Sequence, residues 1–337
     1  MTRARRYSCG QMTVCRYWGV RALPILALAV GGCKKTTNPA SPAGPVSTGN
    51  VILIQTGWTD PWSKMYDRLM DPAIKEVGNQ LTLQQESAQG DPKKQIQEID
   101  EAIAKKPQVL MVSPIDKSVL PAIAKAKAAG IFTFQLDRSY ISWTDKRDPA
   151  NSYYGADLAG VGSCGIFQYA HMMGKKGTGL VIPDNSSETG KELLKGATFA
   201  LKKFNGQVKG VVGDDCGTDE AKAKAYVASY LKSGRPLDVI CTLNEPATLG
   251  AAEAVKAAGA QTYIFGVGGS TKRMFDAVKD GSVYAIFTVP PGGPAAIEEV
   301  PTALQHQRVP RDSFTPFDMV LKRNVDQYLR DHPVLGD

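Results

Sequence analysis

Histidine is scarce in this chain of 337 residues, which contains only His171, His306 and His332. It has no HExxH pair, and no cysteines or histidines stand at the spacing of a metal site. Walker loops and GxSxG elbows are absent too, and Thr271 stands where Gly266-Val267-Gly268-Gly269 would need a third glycine to make GxGxxG. We therefore identify no catalytic residue, no cofactor and no metal ligand. An enzyme that uses carboxylate side chains without a short sequence motif remains an alternative.

Little net charge remains once the N-terminal segment is set aside. The whole chain has a formal charge of +7, from 40 basic and 33 acidic side chains. Residues 1–32 contribute five arginines and no lysine or acid, which leaves 35 basic against 33 acidic residues, a net charge of +2. Such a balance gives no electrostatic footprint for nucleic acid, so we expect no nucleic-acid partner.

Long apolar runs are missing as well. The run Ala22–Val30 follows a basic region and is typical of a secretory signal, but it is too short to span a bilayer in the mature protein. Val30-Gly31-Gly32-Cys33 resembles the lipobox of bacterial lipoproteins, with Val in place of the usual Leu. The resemblance implies a signal peptide over 1–32 and a lipid-modified Cys33 that anchors the protein to a bacterial membrane. A plain secretory signal is the alternative, and Met12 is an alternative start.

Three further cysteines, Cys164, Cys216 and Cys241, lie beyond the candidate lipidation site. Because their number is odd, at least one is a free thiol or bonds to another molecule. We interpret these three cysteines mainly as small buried apolar residues.

Proline, serine, threonine and glycine dominate residues 34–50, in which Val46 is the only sizeable apolar residue. This composition predicts a flexible coil that spans roughly 25 Å. We expect residues 33–49 to be a lipidated cysteine followed by a tether that holds a globular body clear of a membrane.

Strand and helix patterns alternate from Val51 onward. Buried strands are predicted at Val51–Ile54, Leu81–Leu83, Val109–Val112 and Ile131–Leu136, and the segments between them carry apolar residues at helical spacing. Asp91-Pro92 has the form of a helix N-cap followed by proline at the first helical position. The alternation predicts an α/β fold with a parallel, doubly wound sheet.

A second alternating run follows an interruption at 139–152, which we interpret as a linker. Its strands are predicted near 180–182, 208–212, 239–241, 263–265 and 283–287. Two α/β halves suit the length of the chain and imply two lobes with a ligand-binding cleft between them.

Asp137 and Arg138 directly follow the predicted strand that ends at Leu136. In an open parallel sheet the carboxyl ends of the strands line the ligand crevice. A carboxylate beside a guanidinium offers acceptors and five fixed donors, which suits a polyhydroxylated ligand. The alternative is a plain ion pair at a strand end.

Taken in order, these features resemble the type I periplasmic sugar-binding proteins, the ribose-binding branch of ABC-transporter solute receptors. The resemblance covers Asn50 to about Leu329. It rests on Trp58-Thr59-Asp60-Pro61-Trp62, which is similar to the family's Asn-Pro-aromatic loop, on the Asp-Arg pair, and on Leu243-Asn244-Glu245. The resemblance implies the following ligand-binding residues: Asp60, Trp62, Trp58, Ser113, Asp137, Arg138, Asn244 and Lys191.

Alternatives remain at several of these positions. Trp62, expected to stack on a sugar face, could be a core residue at a helix start, and Asn244 would also suit a helix cap. Lys191 is only the nearest cation to a family arginine. The sequence has Cys216 where the family carries an aromatic residue, Gly268 where the ribose branch has Asp, and Thr288 near a usual Gln, so the sugar need not be ribose.

The family topology implies three crossings between the lobes. It places the first lobe at 50–156 plus 289–316 and the second at 157–288 plus 317–337. The expected protein is a monomeric, non-enzymatic, extracytoplasmic receptor that binds a monosaccharide-like solute and delivers it to an ABC permease in the membrane. Alternatives are a nucleoside or signal-molecule receptor on the same fold, or a regulatory domain of the Lac-repressor type, although a signal and tether occupy the place of its helix-turn-helix.

Overall fold

A computed structural model describes residues 49–77, 81–138 and 149–332. The strands within these ranges are β1 (Gly49–Gln55), β2 (Leu81–Ser87), β3 (Val109–Val112), β4 (Phe132–Leu136), β5 (Ser152–Ala156), β6 (Gly177–Ile182), β7 (Val208–Val212), β8 (Val239–Thr242), β9 (Tyr263–Val267), β10 (Ala285–Phe287), β11 (Asp312–Thr315) and β12 (Met319–Leu321). The helices are α1 (Pro61–Val77), α2 (Pro92–Lys105), α3 (Leu120–Ala128), α4 (Leu158–Phe167), α5 (Glu188–Lys203), α6 (Glu220–Lys232), α7 (Glu245–Ala258), α8 (Lys272–Asp280), α9 (Gly293–Leu304) and α10 (Val325–Asp331).

The strands form two six-stranded sheets, in the orders β11-β5-β4-β3-β1-β2 and β12-β10-β9-β8-β6-β7. Every neighbouring pair is parallel except β10 and β12. We call the sheet of β1, with α1, α2, α3 and α9, the first lobe, and the sheet of β6, with the remaining helices, the second lobe. The predicted α/β class with two parallel, doubly wound sheets is confirmed.

The first lobe shows why its central strands read as continuous apolar runs. Val51 and Leu53 pack on one face of the sheet, with residues of α1 and α9. Ile52 and Ile54 pack on the other face, with residues of α2 and α3. Because a parallel sheet is covered by helices on both faces, both alternating sets of side chains must be apolar.

The second lobe repeats this arrangement, and its core contains all three cysteines. Cys164 and Cys241 lie in the cluster formed with α4 and α5, and Cys216 lies in the cluster on the opposite face. All three are buried. Burial raises the pKa of the thiols of Cys216 and Cys241. The prediction that they are small buried residues is confirmed.

The chain passes between the two sheets three times. It leaves the first sheet after β5, returns between β10 and α9, and leaves again between β11 and β12. The boundaries expected from the sequence, after residues 156, 288 and 316, fall in these three connections.

Two predicted boundaries were wrong. Ser152, placed in a linker, begins β5, which pairs with β4 and β11 in the first sheet. The strand sequence SYYGA contains serine and glycine, so its burial comes from its neighbours rather than from an apolar pattern. Gly49 and Asn50, placed at the end of the tether, begin β1 and pair with β2.

The signal segment, Cys33 and the tether up to residue 48 lie outside the described residues, as do residues 139–148 of the predicted linker. Among the described residues, no helix has both the length and the apolar character needed to cross a membrane.

Candidate ligand-binding cleft

Six of the eight residues expected to bind ligand lie beyond the carboxyl ends of three adjacent strands. Trp58, Asp60 and Trp62 follow β1, Ser113 follows β3, and the Asp137-Arg138 pair follows β4. Since β1, β3 and β4 are neighbours in the first sheet, these loops converge on one edge. Asn244 follows β8 and Lys191 lies in the first turn of α5, both in the second lobe.

Asp137 is buried, with 7% of its surface exposed, and both carboxylate oxygens accept hydrogen bonds from the protein. The Ser113 hydroxyl donates to Oδ2 at 2.6 Å and the Gly292 backbone N–H donates to Oδ1 at 2.7 Å. Burial raises the pKa of the carboxyl group, against the lowering effects of the Ser113 hydrogen bond and the Arg138 charge. Asp137 therefore ties β3, β4 and the start of α9 together. A sugar contact from it, or from Ser113, stays a prediction.

Arg138 has one side-chain nitrogen, Nη1, without a hydrogen-bond partner among the described residues. Its guanidinium carbon lies 4.5 Å from the ring centroid of Trp58 and 5.6 Å from that of Trp62. Its Nη1 atom is buried and has no hydrogen-bond partner in the described part of the chain. An unpaired buried donor on a charged group is costly, and indole faces compensate only part of that cost. Nη1 thus carries a donor that no described residue uses, and its contact with a ligand stays a prediction.

A hydrogen bond at the edge of its ring fixes Trp62. Its indole N–H donates to the carbonyl of Val289, at 2.8 Å, in the segment that returns from the second lobe. Its ring lies 5.7 Å from that of Tyr66, whose buried hydroxyl has no partner among the described residues. Burial and then the nearby charge of Asp137 raise the pKa of Tyr66 well above its usual value. Trp62 therefore packs against the core, and its stacking on a sugar stays a prediction.

Asp60 has a structural role that our sequence reading missed. Its Oδ1 accepts from the backbone N–H groups of Trp62 and Ser63, at 3.0 and 3.2 Å, and its Oδ2 accepts from the Ser63 hydroxyl at 2.6 Å. These are the bonds of a helix N-cap at the start of α1, with Pro61 at the first helical position. The same Asp-Pro signal, correctly interpreted at Asp91-Pro92, was available here.

Asn244 caps α7, as its alternative interpretation expected. Its Oδ1 accepts from the Ala247 backbone N–H and its Nδ2 donates to the Gly217 carbonyl, both at 2.8 Å. The next residue, Glu245, was not identified from the sequence although its acidic side chain opens the helix. Its buried Oε1 accepts from the backbone N–H groups of Gly269 and Ser270, at 2.5 and 2.6 Å.

Glu245 also explains why position 268 has no side chain. A Cβ built on Gly268 would lie 2.2 Å from Cγ of Glu245. The carboxylate that reaches the loop after β9 is that of Glu245, the first residue of α7. The glycine at position 268, where the resemblance expects an aspartate, therefore has a local packing reason.

Lys191 is engaged in an ion pair and exposed. Its Nζ lies 2.8 Å from Oε1 of Glu188, whose Oε2 lies 2.8 Å from Nζ of Lys117. The hydrogen bonds from Lys117 and Lys191 lower the pKa of Glu188 to about 2. The Lys191 ammonium group is therefore paired with Glu188, and its predicted contact with a ligand would require it to exchange this partner.

Strand-end loops that converge on one edge of a parallel sheet agree with what the sequence is similar to. Residues 51–300 match the model of the periplasmic binding protein domain. The chain belongs to this family. Among curated relatives, the D-apiose import binding protein of Actinobacillus succinogenes is 24% identical over 215 residues, which cover 63% of this chain and 66% of that protein. The D-allose-binding periplasmic protein of Escherichia coli is 24% identical over 222 residues, covering 64% and 71%.

Solved structures show the same fold as this periplasmic binding protein. A solute-binding protein of Bacillus halodurans with bound myo-inositol has a TM-score of 0.69 and 18% identity, covering 85% of this chain and 99% of that one. A solute-binding protein of Actinobacillus succinogenes with bound D-allose has a TM-score of 0.69 and 20% identity, covering 83% and 100%.

Two other departures of this periplasmic binding protein from the ribose-binding pattern have local explanations. Cys216, in place of an aromatic residue, is buried, and its thiol donates to the carbonyl of Asp214 at 3.6 Å. Thr288 lies in one crossing connection and its hydroxyl accepts from the backbone N–H of Asp318, at 2.9 Å, in another. Thr288 therefore holds two of the three crossings together.

Proposed function

We propose that this protein is an extracytoplasmic receptor that captures a monosaccharide-like solute between its two lobes and delivers it to an ABC-transporter permease. The observation that carries the proposal is the buried, unpartnered Nη1 of Arg138 beside two indole rings, at the carboxyl edge of the first sheet. A polyhydroxylated ligand supplies oxygens for the guanidinium and C–H surfaces for an aromatic ring.

The relatives support a sugar as the solute. Two curated relatives are named for D-apiose and D-allose, and two solved structures of the same fold carry D-allose and myo-inositol. These compounds share several adjacent hydroxyl groups on a small ring, which is the chemistry that a guanidinium donor and a flat aromatic face recognise.

The proposed receptor is not an enzyme and is anchored at a membrane. A catalytic role is not part of the proposal, because the family consists of solute-binding proteins and the sequence has no nucleophile or metal motif. We propose that a lipid on Cys33 keeps a monomeric receptor at a bacterial membrane, close to its permease.

A thermal-shift panel tests the proposed function. The mature chain is heated with D-allose, D-apiose or myo-inositol, and in parallel with adenosine or uridine. A solute that binds only the folded state raises the midpoint, by an amount that corresponds to about 2.7 kcal/mol at a concentration of 100 Kd. We expect one or more of the polyhydroxylated compounds to raise it. A rise with nucleosides alone would contradict a sugar receptor.

A further inference from the structure

Trp58 lies between a glycine and an arginine. Its ring centroid is 4.5 Å from the guanidinium carbon of Arg138, and the side chain is exposed, at 36%. A Cβ built on Gly90 would lie 3.1 Å from both Cδ1 and Nε1 of the indole, so the glycine leaves the space that this ring fills. Gly90 has φ +77° and its N–H donates to the Thr56 carbonyl at 2.7 Å, which joins the loops after β1 and β2.

Hydrogen bonds fix the backbone of Arg138. At the end of its side chain, Nη1 makes no hydrogen bond with the described residues. Asp137 has φ +64°, the Arg138 N–H donates to the Leu136 carbonyl at 2.7 Å, and the Arg138 carbonyl accepts from Nε2 of Gln135. The guanidinium lies several rotatable bonds away from these contacts. Within the described residues, its Nη1 has no hydrogen-bond partner, and two indole rings lie against the group.

We propose that Trp58 is a positioning residue for Arg138, with Gly90 as its support, and not a surface on which a sugar stacks. The inference rests on the proposed function, because it assigns to Trp58 the task of aiming the guanidinium at a bound solute. An indole ring with a guanidinium 4.5 Å above its centroid has that face occupied by a cation–π contact. Trp62, whose centroid is 5.6 Å from the same carbon, is left as the aromatic contact for a sugar.

A double-mutant cycle separates positioning from direct contact. Titration calorimetry with D-allose, or with the panel compound that gives the largest thermal shift, is carried out on the parent, Trp58→Leu, Arg138→Leu and the double variant. We expect Trp58→Leu to weaken binding about two- to fivefold in the parent, by loss of the cation–π contact, and to have no measurable effect in the Arg138→Leu background. Equal losses in both backgrounds would mean that Trp58 contacts the sugar itself, and would overturn the proposal.

A matched pair of glycine variants tests the support. Gly90→Ala places a methyl group against the indole and should weaken sugar binding several-fold. Gly130→Ala is the control, because Gly130 has φ +83° and nothing lies within 4 Å of a Cβ built there. It carries the same backbone strain and should leave the affinity unchanged. Equal affinities for the two variants would contradict a role for Gly90 in holding Trp58.

A measurement without sugar distinguishes failure of this inference from failure of the proposed function. The Nε–H resonance of Arg138 is identified in a ¹⁵N-labelled sample by its loss in Arg138→Lys. In the parent it should be displaced by the ring current of Trp58, should return toward the position of a free arginine in Trp58→Leu, and should remain largely displaced in Trp58→Phe. If the Nε–H resonance of Arg138 is unchanged in Trp58→Leu, Trp58 does not position Arg138, whichever solute the protein binds. A changed resonance, with no sugar bound by the parent, contradicts only the proposed function.

Discussion

The Nζ atom of Lys117 lies 2.8 Å from Oε2 of Glu188, and this ion pair joins the first lobe to the second. Lys117 begins a short 3₁₀ turn after β3, where the Asp116 carboxylate accepts from the Ser118 N–H at 2.7 Å. Glu188 begins α5, directly after its N-cap Ser187. Both charges thus stand on ordered turns, and the pair exists only while the lobes approach each other closely.

Removing this pair should favour separation of the lobes. We expect Glu188→Gln to lower sugar affinity by no more than about fivefold, because exposed pairs contribute about 0.2–1 kcal/mol and the Lys117 side chain is 57% exposed. In the Lys191→Gln background, which removes the second ammonium group beside residue 188, the exchanged variant Lys117→Glu/Glu188→Lys should recover much of the loss. Titration calorimetry at low and high salt measures both effects. If the exchanged variant binds no better than either single variant, the pair has no part in closure.

Glu188 should also make stability depend on pH in a defined range. Its pKa is lowered from 4.5 to about 2 in the folded protein, mainly by the hydrogen bond from Lys117. A lowered folded pKa means that the stabilisation is complete above about pH 4.5 and is lost as the pH falls toward 2. The midpoint difference between parent and Glu188→Gln in thermal melts should therefore shrink over that range. Thr82→Ala, at an exposed position of β2, removes no titratable group and is the control, which should show no such trend.

We expect Asp137 to contribute to the stability of the ligand-free fold, whether or not it contacts the ligand. Asp137→Ala leaves the Ser113 hydroxyl and the Gly292 N–H without their acceptor, at about 1–3 kcal/mol for each buried group, and puts alanine at φ +64°. We expect the ligand-free protein to lose roughly 3 kcal/mol in urea unfolding. Asp137→Asn keeps an acceptor and tolerates this backbone conformation, so it should lose less. A ligand-free stability unchanged in Asp137→Ala would refute the structural role.

We expect Arg138 to contribute to sugar affinity and little to the stability of the ligand-free fold. Because Asp137 keeps both of its partners when the guanidinium is removed, Arg138→Ala should cost only its own charged hydrogen bonds to the sugar, about 1.5–3 kcal/mol of affinity. Unfolding without ligand should change little, and compaction on sugar addition in small-angle scattering should be reduced. Arg308→Ala, at an exposed position, is the control. Compaction of Arg138→Ala at the parent's sugar concentration would exclude Arg138 from the centre of the site.

Cys33 is expected to carry the lipid anchor implied by Val30-Gly31-Gly32-Cys33. Cys33→Ser should move the protein from the membrane fraction to the soluble fraction, or leave the signal segment uncleaved. Membrane fractionation detects the first outcome, and the mass of the N-terminal fragment detects the second. Cys216→Ser is the control and should retain the lipid. Identical mass and fractionation of parent and Cys33→Ser would show that no lipid is attached there.

The sequence alone determined the features that arise from local periodicity and from position along a strand. Continuous apolar runs such as Val109–Val112 indicated strands buried on both faces, and Asp91-Pro92 indicated a helix start. The placement of Arg138 at the carboxyl end of a central strand followed as well, because strand order along the chain and parallel pairing determine which loops meet at one edge.

Only the tertiary structure decided which partner each polar group takes. Asp137 stands next to Arg138 in sequence, yet its oxygens bond to Ser113 and to Gly292, which is 155 residues away. The strand Ser152–Ala156 is buried by its neighbours and not by its own composition, and Lys117 meets Glu188 only because two separate sheets face each other. Such contacts join segments that are distant along the chain, so they depend on how whole sheets and helices pack, and no local pattern records them.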